Sequence, residues 1–159
     1  MSSPLQILQQ YWKLAAFRPL QEEIIQSVLQ GKDCIALLPT GGGKSVCYQI
    51  PGIILPGVSL VISPLIALMK DQVDALNQKG IAAVAIHSGM QKEEVQQVLL
   101  DATESVYQFI YCSPERLESP LFNEFAAAPK GAGNEKGYQM YAVIKTGGKQ
   151  YRVAANDKI

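Results

Sequence analysis

The chain contains 159 residues, of which 48% are hydrophobic and 18% are charged, and its 14 basic side chains equal its 14 acidic ones. This length suits one domain of roughly 100 to 200 residues, and the composition is not that of a disordered, collagen-like or polycationic protein. Its apolar stretches are interrupted before the roughly 18 residues that a membrane-spanning helix needs, and residues 1–6 lack the features of a secretory signal. We therefore predict a cytoplasmic protein with no membrane partner.

The charge is distributed unevenly along the chain. Residues 1–129 hold 8 basic and 12 acidic side chains, whereas residues 130–159 hold 6 basic and 2 acidic ones. Residues 126–139, at the join, are small, polar and rich in glycine, which is typical of a linker. We therefore predict three segments, at 1–125, 126–139 and 140–159.

Helical and strand patterns alternate before this linker. Apolar residues at helical spacing predict helices over 19–30, 65–76 and 92–100. Short apolar runs predict strands over 33–38, 58–62, 82–86 and 107–112. This alternation predicts βαβ units and a parallel sheet. After the linker, residues 140–145 and 150–153 are predicted to form a hairpin around a turn at 146–149.

A glycine-rich segment directly follows the first predicted strand and precedes a helix. Its residues are Thr40, Gly41, Gly42, Gly43, Lys44 and Ser45. Glycines allow the backbone to approach a phosphate, Lys44 can reach the outer phosphates, and Ser45 can hold Mg²⁺. The strict GxxxxGK[ST] pattern is matched only in its last three positions, because Leu38 stands where it has glycine. We interpret residues 38–45 as a phosphate loop; the alternative is a glycine-rich turn with a solvated lysine.

Two polar residues lie about 20 positions before this loop. The amide of Gln21 can pair with the edge of adenine, and the guanidinium of Arg18 can stack on a base. Taken alone, this segment is a weak signal, because an arginine-proline helix start with a surface glutamine is a common structural feature.

Four segments together resemble the RecQ family of superfamily 2 DNA helicases. They are residues 17–23, 39–51, 63–72 and 111–117. The resemblance covers about residues 5–125, the first part of that family's first RecA-like domain. It implies an α/β fold, ATP and Mg²⁺ as cofactors, single-stranded DNA as a partner, and a role in DNA repair and recombination.

The resemblance also implies roles for individual residues. Arg18 and Gln21 match the adenine-contacting segment, and Gly41 to Ser45 match the phosphate loop, with Ser45 on Mg²⁺. Further matches fall in two turns that face single-stranded DNA in the family: Ser63, Pro64, Ser113, Pro114 and Arg116. Without the family context these turns would be interpreted as loop caps.

The sequence departs from the family after residue 125. Phosphoryl transfer to water needs carboxylates for Mg²⁺ and for the attacking water, and usually an arginine. The Asp-Glu-Ala-His segment expected at this point is absent, as are the second motor domain and the zinc-binding region. We therefore expect weak binding of ATP and single-stranded DNA at most, with essentially no hydrolysis by this chain.

The last 20 residues are similar to the opening of the twenty-first protein of the bacterial large ribosomal subunit. That resemblance implies contacts between RNA phosphates and Lys145, Lys149 and Arg152; the alternative is a solvated hairpin face. The chain thus resembles two unrelated beginnings, joined by gene rearrangement or by an assembly error. The competing functions are an RNA-binding ribosomal fragment and a non-functional chimeric product.

The predicted fold is an incomplete RecA-like parallel sheet with flanking helices, followed by a linker and a short β-hairpin. Missing central strands would leave unpaired edges that favour self-association. We also consider that residues 141–146 fill the vacant place beside the strand at 58–62, because a buried position selects apolar β-formers. Lys145 would then stand where the family has an acid.

The cysteines and the single histidine predict no catalytic or metal centre. Cys34, Cys47 and Cys112 are odd in number and far apart, which favours reduced thiols in or near the core. His87 is interpreted as a loop residue at a strand end.

Overall fold

Helices and strands alternate along the chain much as the apolar spacing predicts. The computed structural model describes residues 2–39, 41, 43–127, 141–146 and 149–154, with side chains over 2–39, 41 and 43–124. The helices are α1 (Pro4–Ile7), α2 (Gln21–Leu29), α3 (Lys44–Ile54), α4 (Ile66–Gln78), α5 (Lys92–Thr103) and α6 (Pro120–Ala127). A π-helical turn, Leu8–Trp12, extends α1, and a 3₁₀ turn, Pro114–Glu118, precedes α6.

Six strands form one sheet. They are β1 (Ile35–Leu37), β2 (Ser59–Ile62), β3 (Ala83–Ile86), β4 (Phe109–Cys112), β5 (Tyr141–Thr146) and β6 (Lys149–Ala154), arranged in the order β1-β6-β5-β2-β4-β3. β2 is parallel to β4 and β5, and β3 is parallel to β4. β6 is antiparallel to both β1 and β5, so β1 runs in the same direction as the other four. The partial RecA-like α/β class predicted from the sequence is confirmed.

The C-terminal hairpin is part of this sheet. β5 pairs with β2 in register, with Ser59 opposite Tyr141 and Ile62 opposite Ile144. The hypothesis that residues 141–146 lie beside β2 is therefore confirmed. β2 pairs with β4 on one side and with β5 on the other, so β2 is not an edge of the described sheet. The outer strands of the described sheet are β1 and β3.

The predicted linker falls mostly outside the described residues. Its first two residues, Ala126 and Ala127, complete α6, whose short apolar repeat continues to that point. Met140, predicted as the first residue of the hairpin, and the turn glycines Gly147 and Gly148 also lie outside the described residues.

Alternating side chains divide the sheet into two apolar faces. Leu60 and Ile62 of β2 pack with Ile110 of β4 and with α5 on one face. Val61 packs with Phe109 on the other face, against α3 and α4. This alternation follows from the two-residue repeat of a strand, and it explains why these central strands read as continuous apolar runs. The central strands β2 and β4 are therefore covered on both faces by helices.

The N-terminal helices form a third cluster that supports the start of α3. Ile7, Leu8 and Ile25 pack against Val46 and Ile50. The rings of Tyr11 and Trp12 pack at the edges of the same region, 6.2 Å apart and edge to face. These contacts connect α1 and α2 to α3, the helix that follows the glycine-rich turn.

The three thiols and the histidine lie as predicted. Cys47 and Cys112 are buried and Cys34 is half-buried, and none is in a disulfide. Burial raises the pKa of the Cys47 thiol to about 11 and that of Cys112 to about 12. His87 follows β3, where its Nδ1 accepts a hydrogen bond from the Gly89 N–H at 3.2 Å. Within the described residues, no helix is long and apolar enough to cross a membrane.

Candidate functional site

The carboxyl ends of five strands lie at the same edge of the sheet. β1 to β5 share one direction, so the phosphate loop after β1 shares this edge with Ser63 after β2 and Ser113 after β4. Ligands of open α/β sheets bind outside such an edge. β6 and β5 stand between β1 and β2, which places those two strands about 14 Å apart at ordinary strand spacing.

The start of α3 is the feature best suited to an anion. Gly43 precedes α3 in the left-handed conformation, with φ 73° and ψ 39°, and α3 begins at Lys44. The first amides of a helix have no partner within the helix and carry the positive end of its dipole. Lys44 and Ser45 are half-buried in this first turn. Thr40 and Gly42, also predicted in this site, lie outside the described residues.

Two side chains hold the carbonyl oxygens of the loop. The Arg18 guanidinium donates to the Gly41 carbonyl, and the Gln21 amide donates to the Gly43 carbonyl at 3.0 Å. The Gln21 side-chain oxygen in turn accepts from the Arg18 N–H at 2.8 Å, and Gln21 is only 3% exposed. The carbonyl oxygens of Gly41 and Gly43 are thus bonded to Arg18 and Gln21. Carbonyl oxygens that faced an anion would repel it. The sequence predicted contacts to adenine; the structure adds a role in holding the loop.

Gly43 leaves no room for a side chain. A Cβ built on Gly43 would stand 2.3 Å from the Gln21 side-chain nitrogen, and its φ of +73° is strained for any residue that carries a Cβ. The loop backbone and Gln21 are therefore in close contact. This fit, together with Lys44 and Ser45, suits a phosphate group with its Mg²⁺.

Ser63 and Ser113 occupy equivalent places at the ends of neighbouring strands. Ser63 is 4% exposed and its hydroxyl accepts from the Leu65 N–H at 3.5 Å. The buried Ser113 hydroxyl has no hydrogen bond of ordinary length and angle within the described residues. It still lies near Glu115, whose pKa is lowered first by its own backbone N–H and then by Ser113. Pro64 and Pro114 follow these serines, and both are exposed.

The guanidinium of Arg116 spans two loops. It donates to the carbonyls of His87 at 3.1 Å, Ser88 at 3.1 Å and Met90 at 2.8 Å. It therefore fixes the loop after β3 to the turn after β4. Sequence reasoning predicted a contact with nucleic acid and did not foresee this bracing, because residues 87 and 116 are far apart in the chain.

A buried polar cluster behind the site was not predicted. It comprises Tyr48, Gln49, Gln72 and Tyr111, which we call the Tyr-Gln bracket. The hydroxyls of Tyr48 and Tyr111 lie 2.9 Å apart, and Gln49 donates to Tyr111 at 3.2 Å and to Gln72 at 3.1 Å. Burial raises the pKa of both tyrosines. A glutamine at an apolar helical position, Gln72, was the sequence signal that this cluster existed.

No other candidate for a metal centre emerges from the part of the chain that the structure describes, where no three His, Cys, Asp or Glu side chains cluster.

A parallel sheet whose first strand leads through a glycine-rich turn into a helix defines the class of phosphate-loop α/β proteins. The chain belongs to the DEAD/DEAH box helicase family, whose model matches residues 18–141. It is a RecQ-type member by its similarity to curated proteins.

Three relatives illustrate this similarity. The chain is 45% identical over 124 residues to the probable ATP-dependent DNA helicase RecS of Bacillus subtilis, covering 78% of this chain and 25% of that protein. It is 42% identical over 117 residues to the ATP-dependent DNA helicase RecQ of Synechocystis sp., covering 73% and 24%. It is 46% identical over 117 residues to RecQ of Bacillus subtilis, covering 73% and 20%. The matched part thus spans a quarter or less of these relatives.

Proposed function

We propose that this chain is the ATP-binding portion of a RecQ-type DNA helicase, which binds Mg-ATP at the phosphate loop and single-stranded DNA weakly at the neighbouring turns. The observation that carries the proposal is the pair of side-chain contacts from Arg18 and Gln21 to the loop carbonyls. They hold the backbone of the loop in place directly before α3. The names of the relatives, which are ATP-dependent DNA helicases, point the same way.

Each residue of the nucleotide site has a distinct role in this proposal. Lys44 contacts the β and γ phosphates, Ser45 holds Mg²⁺, and the first amides of α3 bind the phosphate oxygens. Arg18 and Gln21 hold the loop, and the exposed side chain of Arg18 reaches the base. Bound Mg²⁺ neutralises phosphate charge.

Single-stranded DNA is proposed to lie along the ends of β2 and β4. Small hydroxyls and turn amides at Ser63 and Ser113 suit the phosphates of a strand, and Pro64 and Pro114 keep these turns open at the surface. Arg116 contributes positive charge there while it braces the turn. Binding is proposed to be weak because Arg116 is already engaged with three backbone carbonyls. The location of the protein is proposed to be cytoplasmic.

Hydrolysis is proposed to be absent from this chain. The strand beside β2 carries no acid: β5 reads Tyr-Ala-Val-Ile-Lys-Thr, with Lys145 next after Ile144, the partner of Ile62. A lysine at that position cannot hold Mg²⁺ or orient water as a carboxylate does.

A turnover assay tests this proposal. We expect the purified chain to retain Mg-ATP in a binding assay and to release no more phosphate than a buffer control, with or without single-stranded DNA. DNA-stimulated turnover of about 1 s⁻¹ or more, an ordinary enzymatic rate, would contradict it. Failure to bind Mg-ATP at concentrations up to several millimolar would contradict the nucleotide site itself.

A glycine substitution tests the loop directly. We expect Gly43→Ala to lower the affinity for Mg-ATP at least about tenfold, because its Cβ displaces Gln21, and to cost about 1 kcal/mol of stability through the positive φ. Gly80→Ala is the matched control, since Gly80 has φ +77° but nothing within 4 Å of its Cβ position. It should cost similar stability and leave the affinity unchanged. Equal affinities in the two variants would remove the role of the Gln21 contact.

Self-association is proposed at the outer edge of β1. Ile35 and Leu37 are 68% and 65% exposed there, and edge strands with exposed apolar side chains favour pairing with another chain. The alternative function, RNA binding through the C-terminal hairpin, gains no comparable support, since both strands of that hairpin are paired within the sheet.

A further inference from the structure

The Tyr-Gln bracket connects three elements that each lead to the proposed site. Tyr48 and Gln49 belong to α3, the helix that begins at the phosphate loop. Gln72 belongs to α4, which follows the turn at Ser63, and Tyr111 belongs to β4, which ends at the turn of Ser113. The bracket therefore joins the nucleotide side of the site to both turns on the proposed DNA side.

Three members of the bracket are buried. Tyr48, Gln49 and Tyr111 are 6%, 4% and 1% exposed, whereas Gln72 is half-buried. The small void beside them, which Ser63 also lines, has no room for a water molecule. Water cannot replace a hydrogen bond that is lost there, so the three buried side chains must keep their mutual geometry or leave buried polar atoms unsatisfied.

The bracket lies close to the phosphate loop along α3. Tyr48 is about one helical turn from Ser45, the residue proposed to hold Mg²⁺. From Tyr48 the hydrogen bonds continue to Tyr111, and from there through Gln49 to Gln72.

Directional contacts of this kind respond to small movements more strongly than apolar packing does. A hydrogen bond weakens steeply with distance and angle, whereas apolar burial depends only on the area removed from water. Tyr111 lies two residues before Ser113, so a displacement of the turn after β4 would change its contact with the Tyr48 hydroxyl, about one turn of α3 from Ser45.

We propose that Tyr48 and Tyr111 are positioning residues through which the occupancy of the DNA-facing turns adjusts the phosphate loop, so that nucleotide affinity depends on bound single-stranded DNA. This inference rests on the proposed function, since it requires both ligands to bind. Neither tyrosine touches the nucleotide; both act through Ser45 and the start of α3.

The test measures the ratio of two affinities. The affinity of the full chain for the Mg²⁺ complex of the non-hydrolysable analogue AMP-PNP is measured with and without a saturating short oligodeoxythymidylate. In the wild type we expect DNA to change this affinity about fivefold or more, the lower range of measured couplings between sites. Tyr111→Phe and Tyr48→Phe keep the ring and remove the hydroxyl, and each should reduce the ratio to below about twofold while both ligands still bind.

Tyr107→Phe is the matched control. Tyr107 is a half-buried tyrosine that packs on the opposite face of the sheet, outside the bracket. It should keep the wild-type ratio. Thermal melting of all four proteins establishes that the affinities are compared between folded chains.

The outcomes separate this inference from the proposed function. A wild type that binds no nucleotide overturns both. A wild type that binds both ligands with a ratio near one leaves the proposed function intact and overturns the inference. A ratio in Tyr111→Phe and Tyr48→Phe equal to that of the wild type also overturns it, because the bracket then only stabilises the fold.

Discussion

A chain that ends at Ala127 should fail to fold into a stable unit. This truncation removes β5 and β6. It leaves β1 without a strand neighbour and exposes one whole edge of β2. In the intact chain, Val61 and its neighbours in β2 are buried in the middle of the sheet. In the truncated chain β2 would be an edge strand, and such strands favour pairing with another chain. We expect the loss of the whole stability of the domain, about 5 to 15 kcal/mol, measured as the disappearance of a cooperative thermal transition.

A point substitution tests the same pairing without truncation. Ala142 lies between Leu60 of β2 and Val153 of β6, so proline at this position removes a backbone donor in the middle of the sheet. We expect Ala142→Pro to destabilise the chain by about 3 kcal/mol or more. Ala154→Pro, at the end of β6, should have a much smaller effect. A truncated chain, or an Ala142→Pro variant, that melts like the wild type would show that the hairpin is dispensable.

The second large effect is expected at Gly52 in α3. A Cβ on Gly52 would stand 2.6 Å from the Phe109 ring and 2.6 Å from the Ser59 hydroxyl. Glycine to alanine in a helix ordinarily stabilises by about 0.5 to 1 kcal/mol. At Gly52 the sign should reverse, because α3 must move away from β2 and β4. We expect Gly52→Ala to destabilise by about 3 kcal/mol, the upper range for overpacking.

Urea denaturation measures this effect, and a double-mutant cycle assigns it. Phe109→Leu alone should destabilise, because it removes part of a ring that is fully buried. Combined with Gly52→Ala it should cost less than the two single changes together, since the smaller side chain makes room for the new methyl group. Additive effects would mean that the contact with Phe109 does not cause the destabilisation by Gly52→Ala.

The strands and helices of residues 19–112 could be predicted because burial imposes a pattern on the sequence. β2 and β4 are covered by helices on both faces, so both read as unbroken apolar runs. The order of the strands could not be predicted in this way. An apolar strand fits many places in a sheet, and nothing in the pattern of β6 indicates that it lies between β1 and β5.

The glycine-rich turn before α3 could be predicted because its residues are contiguous in the sequence, whereas the contacts of its neighbours could not. Gln21 reaches a carbonyl 22 residues away, and Arg116 reaches the loop after β3. Such contacts depend on the tertiary fold, and they impose no regular residue spacing on the sequence. Gln72 lies within the predicted helix 65–76, but its hydrogen bond with Gln49, and the bond from Gln49 to Tyr111, depend on the packing of α3 against α4 and β4.

The central claim is that the turn leading into α3 grips a triphosphate, and a calorimetric titration of Mg-ATP into three proteins tests it most directly. The wild type should bind, and Lys44→Ala should bind at least about tenfold more weakly because it loses a charged phosphate contact. Lys70→Ala, which removes an exposed lysine of α4, should bind like the wild type. If Lys44→Ala and the wild type have the same affinity, the loop does not hold the phosphates and the account is contradicted.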